Sequence, residues 1–535
     1  MQGSDASCVV TAVDEDVGTP RGPWLLAVLV ALIVVILFLP SFDDAGPEMD
    51  EGVLVSYPSL IAEHGLVPGR DFETFYGPGQ PYLLAGAGEI FGLSVGLARV
   101  SALIFQIALA LAIYVIVLPA GRWVAAAGAL AASLVMLLLG LQGLAIIGGL
   151  AALLCGLALL VARDPAPGRA RPGDRTTGVI SPLLAGLAAA AALTFRPDLA
   201  PAVLLSAAPL LLWRLPGVPL GSRGRRWLLA LIVGCIPLIV WLAVVGPDGI
   251  SRLLEDLAAS RPGRHLPLPG ATSVEGGLLA ATLVVLAGSI AGAALWLRRD
   301  PRNADGRVLL SIALLLIALL PSAVQRADVA HIAPVAAIAI GLSPIVARLL
   351  LDLDPPRPAQ LALAGAGLIV AVALIHAAEL SLRAQASSLS EEGPEVVLGD
   401  RTFHAGDADA VADLNELLPE IDRVTSPGDS IFVGTTDLTR TVYSDTFVYF
   451  MLPDLVPASF YTELNPGTAN GEESTLPEEL EDADVLLLTD RWTPDTDEAA
   501  EPGSEAAQEV VDERFCTVAE AGDYEVLTPC SASAR

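Results

Sequence analysis

Residues 42–84 read FDDAGPEMDEGVLVSYPSLIAEHGLVPGRDFETFYGPGQPYLL, and they follow directly on an apolar run at 25–39. The carboxylates Asp43, Asp44, Glu48, Asp50 and Glu51 therefore gather where a membrane span emerges. Two pieces follow in the same loop. Residues 53–64 are amphipathic, and 76–82 are a Gly/Pro-rich phrase, YGPGQPY, whose residue types favour fixed turns. Such a segment is expected to lie at the membrane surface with a defined shape.

The rest of the chain supplies the membrane. It has 535 residues, 53% hydrophobic and 17% charged, with a mean hydropathy of +0.61, too apolar for a soluble protein and too long for one small domain. The net charge of −30 is not spread evenly: residues 391–535 hold 34 of the 60 acids and 6 of the 30 bases. The tail thus carries −28 and the remaining body −2. Every base is Arg, and so acidic a tail would repel a phosphate backbone, which excludes a nucleic-acid partner. The organisation expected is a cytoplasmic N-terminal tail at 1–22, a membrane domain at 23–382 containing an outer loop at 41–96, and an acidic extracytoplasmic domain at 383–535.

A span needs about 20 apolar residues. Eleven are expected, near 23–40, 97–118, 123–140, 142–162, 178–195, 199–213, 227–246, 276–297, 308–324, 330–349 and 361–382. Residues 79–95 are apolar too, but Glu89 and several Gly make them a better surface or re-entrant helix. Alternate loops are rich in Arg (122; 163, 169, 171 and 175; 214, 223, 225 and 226; 298, 299, 302 and 307; 348 and 357), which marks them as the cytoplasmic set. The N-terminus is then inside, and the tail outside. Residues 1–22 carry more acid than base and precede no small-residue cleavage site, so they are not expected to be a cleaved signal.

This topology brings polar groups together on the outer face: Asp50, Glu51, Arg99, Arg196, Asp198, Arg252, Arg261, Arg264, His265, Arg326, Asp328 and His331. An Arg or Asp at mid-membrane costs about 2.5–3.5 kcal/mol, and less near the interface, so a one-sided cluster asks for a function. Carboxylates with several Arg suggest a general base and a phosphate clamp, because Arg offers phosphate oxygens a bidentate fork.

The same residues resemble a family. An Asp-Glu pair soon after the first span, then "HGLVPGRDF", "YGPGQPYLLAGAGEIFG", "FRPDLAP", "QRADVAHIAPV" and "PGDSIFVGTTDLTR…YFMLPDLVPASFYTELNPG", is similar to the polytopic GT-C glycosyltransferases in the branch related to glycosyltransferase family 39. The resemblance runs from residue 25 to about 466. It implies a mainly α, polytopic fold with a small C-terminal α/β domain, and transfer of a sugar from a polyprenyl-phosphate carrier to a glycan, lipid or protein acceptor outside the membrane. It puts the first-loop acid, Asp50 with Glu51 beside it, at the reacting centre, as base or, in some members, as ligand of a divalent metal. Arg99, Arg196, Arg326 and His331 would then meet the donor phosphate, with Asp198, Asp328, Arg264 and His265 in support.

Other readings stay open. Asp50 can cap the helix that follows it, Arg99 can anchor at the interface, and Arg196–Asp198 and Arg326–Asp328 can be ion pairs at hairpin tips. Asp43–Asp44 is a competing acid pair, and Pro58 predicts a break or a fresh start in the helix after Glu51. A transporter or flippase for lipid or polysaccharide would show repeats and mid-span charge, neither of which is evident, and a non-catalytic scaffold is a third class. In the tail, helices are expected at 408–421 and 505–511 and strands at 430–434, 441–450 and 485–489, an α/β alternation. Cys516 and Cys530 flank a hairpin expected at 515–528 and can pair if the tail meets an oxidising compartment, whereas Cys155 and Cys235 sit in apolar runs and Cys8 in the polar N-terminus. No His/Cys spacing suggests zinc.

Overall fold

A computed structural model of the chain describes residues 22–42, 46, 48–161, 174–212, 221–259, 267–388, 393–465, 468–492 and 502–530. Cys8, Asp43, Asp44, Arg261, Arg264, His265 and the arginines at 163, 169, 171 and 214 lie outside the described residues.

Helices come first: α1 (Gly22–Phe38), α2 (Glu48–His64), α3 (Gly79–Phe91), α4 (Val95–Val117), α5 (Arg122–Met136), α6 (Ala145–Val161) and α7 (Asp174–Phe195). They continue as α8 (Ala200–Leu211), α9 (Ser222–Gly234), α10 (Ile236–Ala259), α11 (Val274–Arg299), α12 (Ala304–Gln325), α13 (Val329–Leu351) and α14 (Arg357–Ser388). Among the described residues eight of these, α1, α4, α5 and α10–α14, include segments long and apolar enough to cross a membrane. The protein is therefore a multi-pass membrane protein. Three further apolar helices, in α6, α7 and α8, are shorter, so the eleven expected spans become eight full-length ones and three short ones.

One span is placed differently from expectation. Residues 227–246 do not form a single helix: α9 ends at Gly234, α10 begins at Ile236, and α10 kinks at Gly246, whose φ of 74° is a left-handed conformation. Gly tolerates that φ, and Pro247 after it cannot donate a helix hydrogen bond, so the chain turns there. The apolar segment is accordingly Ile236–Glu255.

The bundle packs through small residues. α13 is its most enclosed span and lies against α5, α11 and α12. A Cβ on Gly128 of α5 would stand 2.6 Å from the carbonyl oxygen of Gly341 in α13, so these backbones approach closely because neither residue has a side chain.

α3 occupies the segment expected as a surface or re-entrant helix, and its Ile90 and Phe91 are about three-quarters exposed. α2 departs from expectation twice. It runs unbroken through Pro58, and it is covered on nearly every side. Burial of Leu54, Val55, Tyr57 and Leu60 offsets the hydrogen bond lost at Pro58.

The tail forms strands β1 (Glu395–Leu398), β2 (Arg401–His404), β3 (Ser430–Thr435), β4 (Val456–Pro457), β5 (Val485–Thr489), β6 (Phe515–Ala521) and β7 (Tyr524–Pro529). Helices α15 (Ala408–Val424), α16 (Val448–Met451), α17 (Leu476–Leu480) and α18 (Ala506–Arg514) accompany them. β3 to β7 make one sheet in the order β4-β3-β5-β7-β6, with β3 parallel to β4 and β5 and the β6–β7 hairpin antiparallel. Residues 431–433 of β3 and 485–488 of β5 are apolar without alternation because both faces are covered. Cys516 and Cys530 are joined as a disulfide across that hairpin, their Cα atoms 4.9 Å apart.

The strand expected at 441–450 is absent. Phe447, Val448, Tyr449, Phe450 and Met451 are all buried in succession, a pattern that suits a buried strand or helix, and here the Val448 and Tyr449 amides turn back to the Asp445 and Thr446 carbonyls to form a turn and α16.

Candidate active site

α2 is held between the helical bundle and the C-terminal region. Its Ser56 Oγ donates to the Thr446 carbonyl at 2.6 Å, and Glu48 Oε1 accepts from the Gly406 amide at 2.6 Å. Glu48 also pairs with Arg491, which is clasped by the fully buried Asp445. Tyr524 Oη donates to the same Asp445 at 2.6 Å. A charged cluster this enclosed is stable only if each charge is paired and hydrogen-bonded, as these are.

Asp50 and Glu51 are adjacent in the first turn of α2, where a carboxylate is favoured by the helix dipole, but neither is the N-cap, because the helix begins at Glu48. Their environments differ. Glu51 is buried and takes Arg99 in a two-oxygen contact, Nη2 at 3.1 and 2.8 Å. Arg99, also buried, donates in addition to the carbonyl of Phe42. This pair ties α4 to the start of the loop, and Arg99 is directed at Glu51.

Asp50 is half-buried. Burial, then the charge of Glu463, push its carboxyl up to about 6, against the opposing pull of His331 and Arg326 and with a further push from Asp328. Arg326 Nε donates to Asp328 Oδ2 at 2.8 Å, and its Nη1 donates to Tyr443 Oη at 3.3 Å. Asp328 caps α13 by accepting from the His331 amide at 2.9 Å, and His331 Nδ1 lies 2.7 Å from the same carboxylate oxygen. The α12–α13 turn thus sets a guanidinium, an imidazole and one acid toward the first turn of α2.

Of the residues singled out in the sequence, the structure brings Asp50, Arg326, Asp328 and His331 together. Arg196 stands in a second cluster: its Nε and Nη2 donate to Asp198 at 2.8 and 2.7 Å, and its guanidinium lies 5.3 Å from the centre of the Tyr76 ring. Gly77 donates its amide to the Phe195 carbonyl at 3.0 Å, so the YGPG phrase is seated on the α7–α8 turn. Arg252 is drawn away to Glu479 at 3.5 Å and to the Phe460 ring at 4.1 Å.

Sequence reasoning missed Glu463, Tyr443, Tyr57 and the Arg491–Asp445–Glu48 cluster. Tyr57 had a signal: it lies seven residues, about two turns, after Asp50 and so on the same face of α2. Its hydroxyl donates to Glu463 Oε1, and burial together with Glu463 holds it protonated. Glu463 had none beyond its place in the phrase FYTELNPG, which reads as part of a covering domain. Among the described residues no three His, Cys, Asp or Glu side chains gather at metal-binding distance.

No protein-family profile matches the chain, and no curated protein matches it in sequence. Solved structures do match in shape. ArnT from Cupriavidus metallidurans bound to undecaprenyl phosphate aligns over 96% of this chain and 99% of its own, at 15% identity and a TM-score of 0.53. The apo state of the same protein aligns over 95% and 98%, at 14% identity and a TM-score of 0.52. The fold of the chain resembles GT-C folds. The alignment takes in both the helical bundle and the C-terminal α/β region. At this identity the match speaks for the fold, and the roles of side chains rest on their own geometry.

Proposed function

We propose that the protein is an integral-membrane glycosyltransferase that moves a sugar from a polyprenyl-phosphate carrier to a glycan, lipid or protein acceptor on the outer face of the membrane. Asp50 is the general base, and Arg326 with His331 stands beside the donor phosphate. One observation carries the reading: a carboxyl with a raised proton affinity shares a site with a guanidinium and an imidazole on a fold that resembles GT-C folds. ArnT, which is similar in fold, was solved with undecaprenyl phosphate bound.

The chemistry follows from the groups present. The acceptor hydroxyl attacks the anomeric carbon and gives its proton to Asp50, a form of base help worth about 10² to 10⁴-fold. The bond from that carbon to the phosphate oxygen breaks, and its electron pair leaves on the polyprenyl phosphate. Arg326, and His331 when protonated, stabilise the added charge there. A single displacement of this kind inverts the anomeric centre. With its carboxyl at about 6, Asp50 is mostly ionised at pH 7 yet basic enough to accept a proton.

The orientation belongs to the proposal: N-terminus cytoplasmic, C-terminal domain outside, where an oxidising compartment suits the Cys516–Cys530 disulfide. The test is Asp50→Asn, purified with the native elution profile. Sugar transfer is expected to fall about 10² to 10⁴-fold. In the native enzyme kcat/KM is expected to decline as pH falls through about 6, because protonation removes the base. Native turnover by Asp50→Asn would overturn the assignment.

A further inference from the structure

The C-terminal domain does more than cover the site. Glu463 lies in the loop between β4 and α17 and is buried. Tyr57 Oη donates to its Oε1, and Asn465 Nδ2 donates to its Oε2 at 2.8 Å, so the carboxylate is gripped from both sides. Tyr57 shares a face of α2 with Asp50, which brings this acid to the base from across the domain boundary.

The backbone around it is held in an unusual form. Tyr443 has φ 103° and Leu464, the neighbour of Glu463, has φ 50°, both positive in non-glycine residues. The Tyr443 amide donates to the Leu464 carbonyl at 3.0 Å, joining the two. Outlying backbone of this kind persists where surrounding structure over-determines it, and it concentrates at functional sites. Here one strained residue presents its hydroxyl to Arg326 and the other adjoins Glu463.

We propose that Glu463 is the active-site carboxylate contributed by the C-terminal domain, a positioning residue held to α2 through Tyr57 and, through its neighbour Leu464 and Tyr443, to Arg326. The inference rests on the function proposed above, with Asp50 as base. The groups facing Asp50 are Glu463 from the C-terminal domain and Arg326, Asp328 and His331 from the α12–α13 turn. On its own helix Glu48 and Glu51 are turned to Arg491 and Arg99. Arg326, and His331 when protonated, would make Asp50 a weaker base by favouring its ionised form, and Glu463 counters them. Seating the C-terminal domain thereby supplies part of the catalytic setting.

The experiment compares pH profiles of sugar transfer, using pooled lipid-linked sugars extracted from the source membrane and measuring release of undecaprenyl phosphate. Glu463→Gln keeps an acceptor for Tyr57 and removes the charge. Its acid limb is expected to move down by about one pH unit, the scale on which a neighbouring like charge acts. Glu463→Asp, which keeps the charge, is expected to hold the limb near its native position. If Glu463→Gln fails to fold, Glu463→Asp against Glu463→Asn, equal in size and different in charge, makes the same comparison. A limb that does not separate charged from neutral variants overturns the inference. An inactive Asp50→Asn beside such an unmoved limb sinks this inference alone, whereas a fully active Asp50→Asn sinks the base assignment and this inference with it.

Discussion

Successive residues on a helix point about 100° apart, and Asp50 and Glu51 divide their work accordingly. Glu51 is spent on Arg99 at 2.8 Å inside the protein, while Asp50 faces the α12–α13 turn. Arg99 thus holds the loop, and in the function proposed above Arg326 is the cation that meets the leaving phosphate. Arg326→Ala is expected to weaken binding of undecaprenyl phosphate about 10- to 100-fold, the worth of a charge-assisted hydrogen bond, and to leave acceptor KM nearly unchanged. Titration of the purified protein with that lipid checks it, and equal affinity of the two proteins would remove Arg326 from the donor site. The sequence made Asp50 legible because an acid pair at the mouth of a span is conspicuous. It could not say which acid of the pair would be consumed, since that depends on Arg99 arriving from 48 residues further on.

At the scale of elements, the YGPG phrase acts as a wedge. A Cβ on Gly77 would stand 2.2 Å from the Thr194 carbonyl oxygen, so the loop can sit on the α7–α8 turn only with glycine there. Gly77→Val is expected to lift residues 76–82 off that turn, at about 1–3 kcal/mol for overpacking, with faster hydrogen exchange in that segment and reduced transfer. Gly86→Ala in the adjoining α3, where nothing lies within 4 Å of the added carbon, is the control and should exchange like the native chain. Most helices were readable beforehand because an apolar run of about 20 residues admits few alternatives. What escaped were places where tertiary contacts decide. α2 passes through Pro58 because Leu54, Val55, Tyr57 and Leu60 are buried around it. Near 227–246 the chain breaks between Gly234 and Ile236 and turns again at Gly246 and Pro247. Residues 447–451 are buried one after another, a pattern that hydropathy alone assigns equally to strand and helix.

For the whole molecule, the charge asymmetry of the sequence separates a near-neutral body from an acidic tail, and the structure then joins them at one small buried cluster. Arg491 reaches both Asp445 in the tail and Glu48 at the head of α2, with all three side chains largely excluded from water. An ion pair so enclosed adds little net stability while intact, but removing one partner strands the others. Arg491→Ala is therefore expected to destabilise the contact by about 3–5 kcal/mol, because Asp445 and Glu48 are left as uncompensated buried charge. The C-terminal region should then loosen from α2, visible as faster proteolysis between residues 388 and 408 and as increased hydrogen exchange at Ser56, whose hydroxyl is bonded to Thr446. Transfer should fall with it, since Glu463 and Tyr443 reach the site only while the tail is seated. Arg491→Ala protein with native exchange along α2 and a normal rate would mean that the tail is held by its apolar contacts alone, with Phe403 stacked on Phe447 at 4.2 Å the first candidate.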